Sequence, residues 1–373
     1  LAAERWLGAT EPNVLTSGTP QPPDAYVDRA TRELVRIYSD DGDFDKVVQL
    51  LTDCAHLPWK GGKARELRHE AALVAVEKLG ATDRAISIYL GLIEEDPHDD
   101  EAVSRVVRLY ESAGRKTELL DLKRRLVGSA RTTDERLGLR LEVAALEDEL
   151  GQVDAAIAAL RENLGEEARH DATVKMLAKI LERESRFAEL EELLASQAEL
   201  AEGASDGRIA ADFFARAAEV AETRLEDPHK AIAHLKRVVA LEERPPAYDA
   251  LARLATQTKA YDDAAGWLDR LRELTDGPER ASVTLRLADA LVAANRQAEA
   301  RERLKEEIAR DPEADRVRVR LAETYRAEQD WSALAELLTE GAHYAPDKAT
   351  RLSRLREAAE LHRSRTGEPE KAI

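Results

Sequence analysis

Four aspartates crowd one glycine in the stretch Ser39-Asp40-Asp41-Gly42-Asp43-Phe44-Asp45-Lys46-Val47-Val48, the kind of cluster in which calcium chemistry would be sought. A calcium loop needs oxygen ligands at alternating positions, glycine at the sixth and a bidentate glutamate at the twelfth. Counted from Asp40 or Asp41, the sixth residue is Asp45 or Lys46 and the twelfth is Leu51 or Thr52. The template fails. The stretch reads as a turn whose aspartates sit near the positive end of the following helix.

The other chemistry-bearing residues fare no better. "HEAAL" (69–73) opens like a zinc-protease helix, but Leu73 stands where the second histidine belongs. His56, His69, His98, His170, His229, His234, His343 and His362 are scattered, and are expected at the surface or rim. "WKGGK" (59–63) lacks the first glycine and the hydroxyl of a phosphate-cradling loop, and reads as a flexible joint. Cys54 has no nearby base pattern and is expected to be a small buried apolar residue. Acid pairs such as Glu94-Glu95, Glu191-Glu192 and Glu306-Glu307 read as solvated helix residues. No catalytic residue, metal site or cofactor is expected, and the chain is read as a non-enzyme.

Composition narrows the class. Charged residues make up 35 % of the 373, aromatics 4 %, and the net charge is −18. Abundant helix is expected and strands are scarce. The acidic balance argues against nucleic acid or an anionic membrane as the main partner, since both need a basic footprint. No apolar run approaches the length of a membrane span. The chain has no initiating Met and stops at Glu370-Lys371-Ala372-Ile373, so it is read as a piece of a longer protein whose targeting signals can lie outside it. The compartment is not set by the sequence, though the cytoplasm is favoured; the oligomeric state is not set either.

What must position any functional residue is a repeat. "GDFDKVVQLL" (42–51), "GRKTELLDLK" (114–123), "SRFAELEELL" (185–194), "KAYDDAAGWL" (259–268) and "QDWSALAELL" (329–338) align, with Phe44, Lys116, Phe187, Tyr261 and Trp331 in register at steps of 72, 71, 74 and 70. A second series interleaves with it, anchored on Ala85, Ala156, Ala231, Ala300 and Ala372 at steps of 71, 75, 69 and 72. The elementary unit is therefore about 36 residues, and it reads as two amphipathic helices around a tight turn. Neither helix can bury its apolar stripe alone, so neighbouring pairs must stack.

These residues resemble the tetratricopeptide repeat. "GDFDKVV" is similar to its turn; Leu251-Ala252, Leu287-Ala288 and Leu321-Ala322 sit at its small-residue position; Tyr110 and Tyr325 at its tyrosine; Asp96-Pro97 and Asp311-Pro312 close repeats as that family does. Val35 and Val107 depart from the small residue at the close contact, and Leu119, Leu190 and Leu334 replace its second-helix alanine. The resemblance implies an all-α, right-handed α-solenoid of stacked antiparallel helix pairs, like long divergent bacterial members. It would run over 24–373 as about nine pairs, the last truncated, behind a short helix at 2–7 and a proline-rich linker to residue 23.

In that family the first helix of each pair lines the concave surface where partners lie. Carried over, one groove position reads Arg36, Arg108, Lys179 and Arg253, with Arg32, Arg105 and Lys175 a turn earlier on three of the same helices, and Arg320 and Arg326 near the C-terminal end. The expectation is a non-catalytic protein-interaction scaffold holding an extended or acidic protein segment. The alternatives are a structural spacer within a larger assembly, a regulatory module beside a catalytic domain, and plain pairing of these cations with neighbouring acids. The Asn of the family's carboxylate clamp is missing, so that ligand is not implied.

Overall fold

The computed structural model describes residues 23–366 and residue 370. The helix expected at 2–7 and nearly all of the proline-rich linker lie outside the described residues, as does Ala372. The described chain is all-α, with nineteen α-helices, a closing π-turn and no strand. It divides into two compact units at Glu167 and Ala168.

Unit 1 holds four antiparallel pairs: α1 (Pro23–Asp40) with α2 (Phe44–Ala55), α3 (Lys63–Glu77) with α4 (Thr82–Glu95), α5 (Asp100–Ser112) with α6 (Lys116–Ser129), and α7 (Thr133–Glu149) with α8 (Val153–Glu166). Unit 2 holds five: α9 (Asp171–Arg183) with α10 (Phe187–Gly203), α11 (Gly207–Thr223) with α12 (Pro228–Leu241), α13 (Pro245–Gln257) with α14 (Tyr261–Glu273), α15 (Gly277–Ala293) with α16 (Gln297–Arg310), and α17 (Asp315–Glu328) with α18 (Trp331–Gly341). After these come α19 (Lys348–Leu361) and the π-turn His362–Thr366. Within each unit every helix packs on the next in sequence, the stacked pairs of an α-solenoid.

The turns explain why the helices stop where they do. Gly114 has φ +66°, its N–H donates to Glu111 O at 3.1 Å, and the Arg115 N–H donates to Tyr110 O at 2.9 Å. This left-handed cap satisfies the last carbonyls of α5. In unit 1 every turn inside a pair uses glycine at this point: Gly42, Gly80, Gly114 and Gly151. In unit 2 the same turns use Ser185, Glu226, Lys259, Asn295 and Gln329, all with φ between +53° and +62°. Starts are fixed by side-chain caps: Asp43, Asp99, Thr132, Asp227, Asp330 and Asp347 each accept a backbone N–H of the helix they open.

The repeat register maps onto the helices directly. Phe44, Lys116, Phe187, Tyr261 and Trp331 are the first residues of α2, α6, α10, α14 and α18. Ala85, Ala156, Ala231 and Ala300 are buried one turn into α4, α8, α12 and α16. The small-residue positions Ala252, Ala288 and Ala322 are buried, as are Tyr110 and Tyr325. Leu119, Leu190 and Leu334 are buried in the second helices as well, so the larger side chain fills the room an alanine would leave.

In unit 1, Leu51, Leu67, Ala71, Ala72, Tyr89, Leu92 and Val106 belong to one continuous apolar cluster. In unit 2, Leu268, Leu287, Leu291, Leu304, Leu321 and Leu334 do the same. Each fully buried leucine contributes about 1.5–3 kcal/mol relative to exposure, so stacking of pairs, rather than helix propensity, holds the array together.

Candidate functional site

Three of the four aspartates of the opening stretch are occupied by capping or ion pairing. Asp43 caps α2 and pairs with Lys46 Nζ at 2.6 Å, Asp45 meets Arg84 of α4 at 3.1 Å, and Asp40 lies 3.8 Å from Arg36. Among the described residues no group of three or more His, Cys, Asp or Glu side chains is placed to hold a metal ion. Cys54 is buried in α2, its Sγ 3.5 Å from Thr31 Oγ1.

The nine basic residues fall on α1, α5, α9, α13 and α17, the first helices of alternate pairs. Arg32, Arg36, Arg105 and Arg108 belong to unit 1; Lys175, Lys179, Arg253, Arg320 and Arg326 belong to unit 2. They sort into three kinds by what they touch.

Four are paired only within their own helix. Arg32 lies 3.3 Å from Asp28, Arg36 3.2 Å from Glu33, Arg105 3.8 Å from Glu101 and Lys175 2.6 Å from Asp171. These are exposed i,i+3 or i,i+4 pairs, each worth about 0.2–0.5 kcal/mol.

Three bridge successive first helices of unit 2. Arg253 of α13 grips both oxygens of Glu222 on α11, Arg320 of α17 meets Asp289 of α15 at 2.7 Å, and Arg326 meets Glu357 of α19 at 2.7 Å. Arg286 of α15, with Asp249 of α13 at 2.5 Å, completes a ladder that the residue register did not single out. The Glu222 hydrogen bond comes first among the causes that raise Arg253 above the ordinary guanidinium value.

The remaining two, Arg108 and Lys179, are exposed, and neither an ion pair nor a side-chain hydrogen bond ties them to another described residue.

Several expectations about individual residues need correction. Glu191 and Glu307 are buried rather than solvated, because each serves cations from other helices. Glu191 accepts from His234 Nε2 at 2.6 Å and Lys230 Nζ at 3.0 Å. Burial works to raise its pKa, but the hydrogen bonds from His234 and Lys230 outweigh it and hold the carboxyl below the ordinary glutamate value. Glu307 accepts from Arg280 Nε at 3.0 Å. His362 is buried in the π-turn instead of lying at the rim.

Three arginines escaped the sequence reading altogether. Arg272, Arg318 and Arg354 are buried, on α14, α17 and α19. The signal was present: Arg318 stands at the i position of the i, i+3, i+4, i+7 stripe completed by Leu321, Ala322 and Tyr325, where an apolar residue is due.

The register aromatics also have a role that spacing alone did not show. Lys78 lies over Phe44 at 5.8 Å, Arg224 over Phe187 at 5.4 Å and Arg365 over Trp331 at 5.5 Å, each cation coming from the end of the next first helix or just beyond it. Such contacts are worth about 0.5–1 kcal/mol at exposed sites, and they clip one pair to the next.

No protein-family model matches the chain, and no curated protein matches it. Among solved structures, "Crystal structure of MamA protein" is similar at 16% identity and TM-score 0.31, covering 48% of this chain and 94% of that one. "Structure of Naa15/Naa10 bound to HypK-THB" is similar at 14% identity and TM-score 0.31, covering 91% of this chain; the chain spans 56% of that one. On its own helix pairs, left-handed turns and buried Leu-Ala and Tyr positions, the described chain has a tetratricopeptide-like α-solenoid fold.

Proposed function

We propose that this chain is a non-catalytic protein-interaction scaffold that holds an extended, acidic segment of a partner protein against the first helices of its pairs. The observation that supports the reading is the contrast among the basic residues of those helices. Arg253, Arg320 and Arg326 are committed to neighbouring helices, whereas Arg108 and Lys179 stand exposed without a carboxylate. Arg32, Arg36, Arg105 and Lys175 are held only by weak pairs on their own helices. A partner carboxylate can replace such a weak pair at little cost, and arginine offers it a bidentate contact. Repetition along the helices makes the binding multivalent.

The inter-helix ladder of unit 2 supports a second reading, a structural spacer whose first-helix cations serve only to fix one pair on the next. The readings separate on one measurement. Fluorescence anisotropy with a labelled aspartate- and glutamate-rich peptide, in low salt, should show binding to the wild type. It should show loss in the variant Arg36→Glu, Arg108→Glu, Lys179→Glu at unchanged helical circular dichroism. Equal binding by the two proteins, or none by either, would leave the spacer.

A further inference from the structure

In three of these pairs a residue of the first helix faces the residue 23 positions later on the second. In α7 and α8, Arg140 Nη1 reaches Asn163 Oδ1 at 3.5 Å. In α15 and α16, Thr284 Oγ1 donates to Glu307 Oε2 at 3.3 Å. In α17 and α18 the same register sets Arg318 against Gly341, which has no side chain to offer. A Cβ on Gly341 would collide with Arg318 Cδ and lie 2.7 Å from Nε, so the arginine stem runs over bare glycine backbone. The fold has made room for a guanidinium here and supplied no acceptor side chain at the place where the earlier pairs supply Asn163 or Glu307.

The shortage of negative charge is specific. Arg318 is 3% exposed. Its Nη2 donates to Pro312 O at 2.6 Å, but its buried Nη1 has no hydrogen-bond partner. The nearest carboxylate oxygen, Asp315 Oδ1, is 3.7 Å from Nη1. That oxygen is already held by Arg354 Nη2, while Arg354 Nη1 donates to Gly341 O at 2.9 Å. Two buried guanidiniums therefore share one carboxylate. Burial first, and then repulsion from Arg354, push Arg318 below the ordinary guanidinium value. The Tyr344 ring, 5.5 Å over the guanidinium carbon, offsets part of this and covers that face. Tyr344 is itself 47% exposed, in the connection between α18 and α19.

Both arginines line a cavity of about 470 Å³ between α17 and α19, together with the Arg326–Glu357 ion pair, apolar Leu338 and the hydroxyls of Thr350 and Ser353. Arg318 also lines a second cavity, of about 470 Å³, on the side of α16 and α18. A buried charged donor without an acceptor is costly, and Arg318 Nη1 is left to donate to an oxyanion in a charge-assisted hydrogen bond. We propose that Arg318 and Arg354 form an oxyanion-binding site between α17 and α19 that takes a carboxylate carried by a partner protein, or the chemically equivalent phosphate. It deepens the scaffold reading with an anchoring point built from buried residues, separate from the exposed cations of α1, α5 and α9.

Isothermal titration calorimetry at constant ionic strength tests it with three probes: inorganic phosphate, an acetylated leucine dipeptide with a free carboxylate, and the same dipeptide as its amide. The carboxylate dipeptide should bind at least tenfold more tightly than the amide. Arg318→Met and Arg354→Met should each weaken it at least tenfold, and Arg354→Lys, the conservative variant, should do so by less. Phosphate bound without the dipeptide keeps the site and overturns the partner carboxylate as its source. No binding of either anion, or equal binding by wild type and both Met variants, overturns the site. The variant Arg36→Glu, Arg108→Glu, Lys179→Glu should bind the dipeptide as the wild type does, so a failure of the exposed basic face is distinguished from a failure here. Arg318→Met removes a buried charge whose Nη1 makes no hydrogen bond and is expected to fold; Gly341→Ala, which forces the Arg318 stem aside, is the second variant and should also weaken the dipeptide.

Discussion

The guanidinium of Arg253 meets both carboxylate oxygens of Glu222, one first helix gripping the one before it in the stack. Arg253 is half exposed, so the pair is partly screened by water. A double-mutant cycle with Arg253→Gln and Glu222→Gln should give a coupling of about 0.2–1 kcal/mol in low salt, measured by urea denaturation. The coupling should shrink as sodium chloride is raised. A coupling that is zero at low salt would remove the ladder from any account of stability.

The two kinds of left-handed turn make opposite predictions. Gly114 has φ +66° and nothing within 4 Å of a Cβ, so Gly114→Ala meets only backbone strain. It should cost about 1–2 kcal/mol. Lys259 carries φ +62° with a full side chain, and Lys259→Gly should change stability by no more than about 1 kcal/mol, in the stabilising direction, because relief of strain opposes the added freedom of the unfolded chain. Thermal unfolding followed by circular dichroism decides both.

Glu191 gives a pH prediction. Its folded pKa lies below the ordinary value of 4.5. The stability it contributes is complete above that ordinary value and is lost as pH falls through the lower, folded value. Glu191→Gln should cost about 1.5–3 kcal/mol at pH 7, the range for hydrogen bonds to a charged group. The gap between wild type and variant should narrow as pH falls below about 4.5. Urea titrations at pH 7, 5, 4 and 3.5 would show it; a gap that stays constant over this range would mean that the carboxylate is not perturbed.

Exposed cations should act mainly on encounter rates. Arg108→Glu and Lys179→Glu should each slow association of an acidic peptide and flatten its salt dependence, with little change in dissociation. Stopped-flow anisotropy at two salt concentrations reads this directly. Faster dissociation with unchanged association would place these residues in a desolvated contact instead.

Much of this fold was legible because stacking leaves a periodic trace. Phe44, Phe187, Tyr261 and Trp331 recur because each opens the second helix of a pair, and Ala85, Ala156 and Ala231 recur because each sits where two helices press together. The division at Glu167 was not legible, since both sides obey the same register. The basic residues were found by register too, but their partners were not. Glu222 and Asp289 lie 31 residues before Arg253 and Arg320, and only folding shows which acids come within reach. Arg318 was passed over for a different reason: a charged residue in an apolar stripe reads as an interruption until its burial is known.

The ladder of unit 2 has a mechanical consequence. Beneath it lie apolar contacts whose strength changes little with moderate salt, while its rungs at Glu222–Arg253, Asp249–Arg286, Asp289–Arg320 and Arg326–Glu357 face solvent. Pulling the first helices apart must break rungs before it disturbs the packing below. The segment is a spring with two elements in parallel, one of fixed stiffness and one that ionic strength turns down, so its compliance under tension should be set by the salt around it.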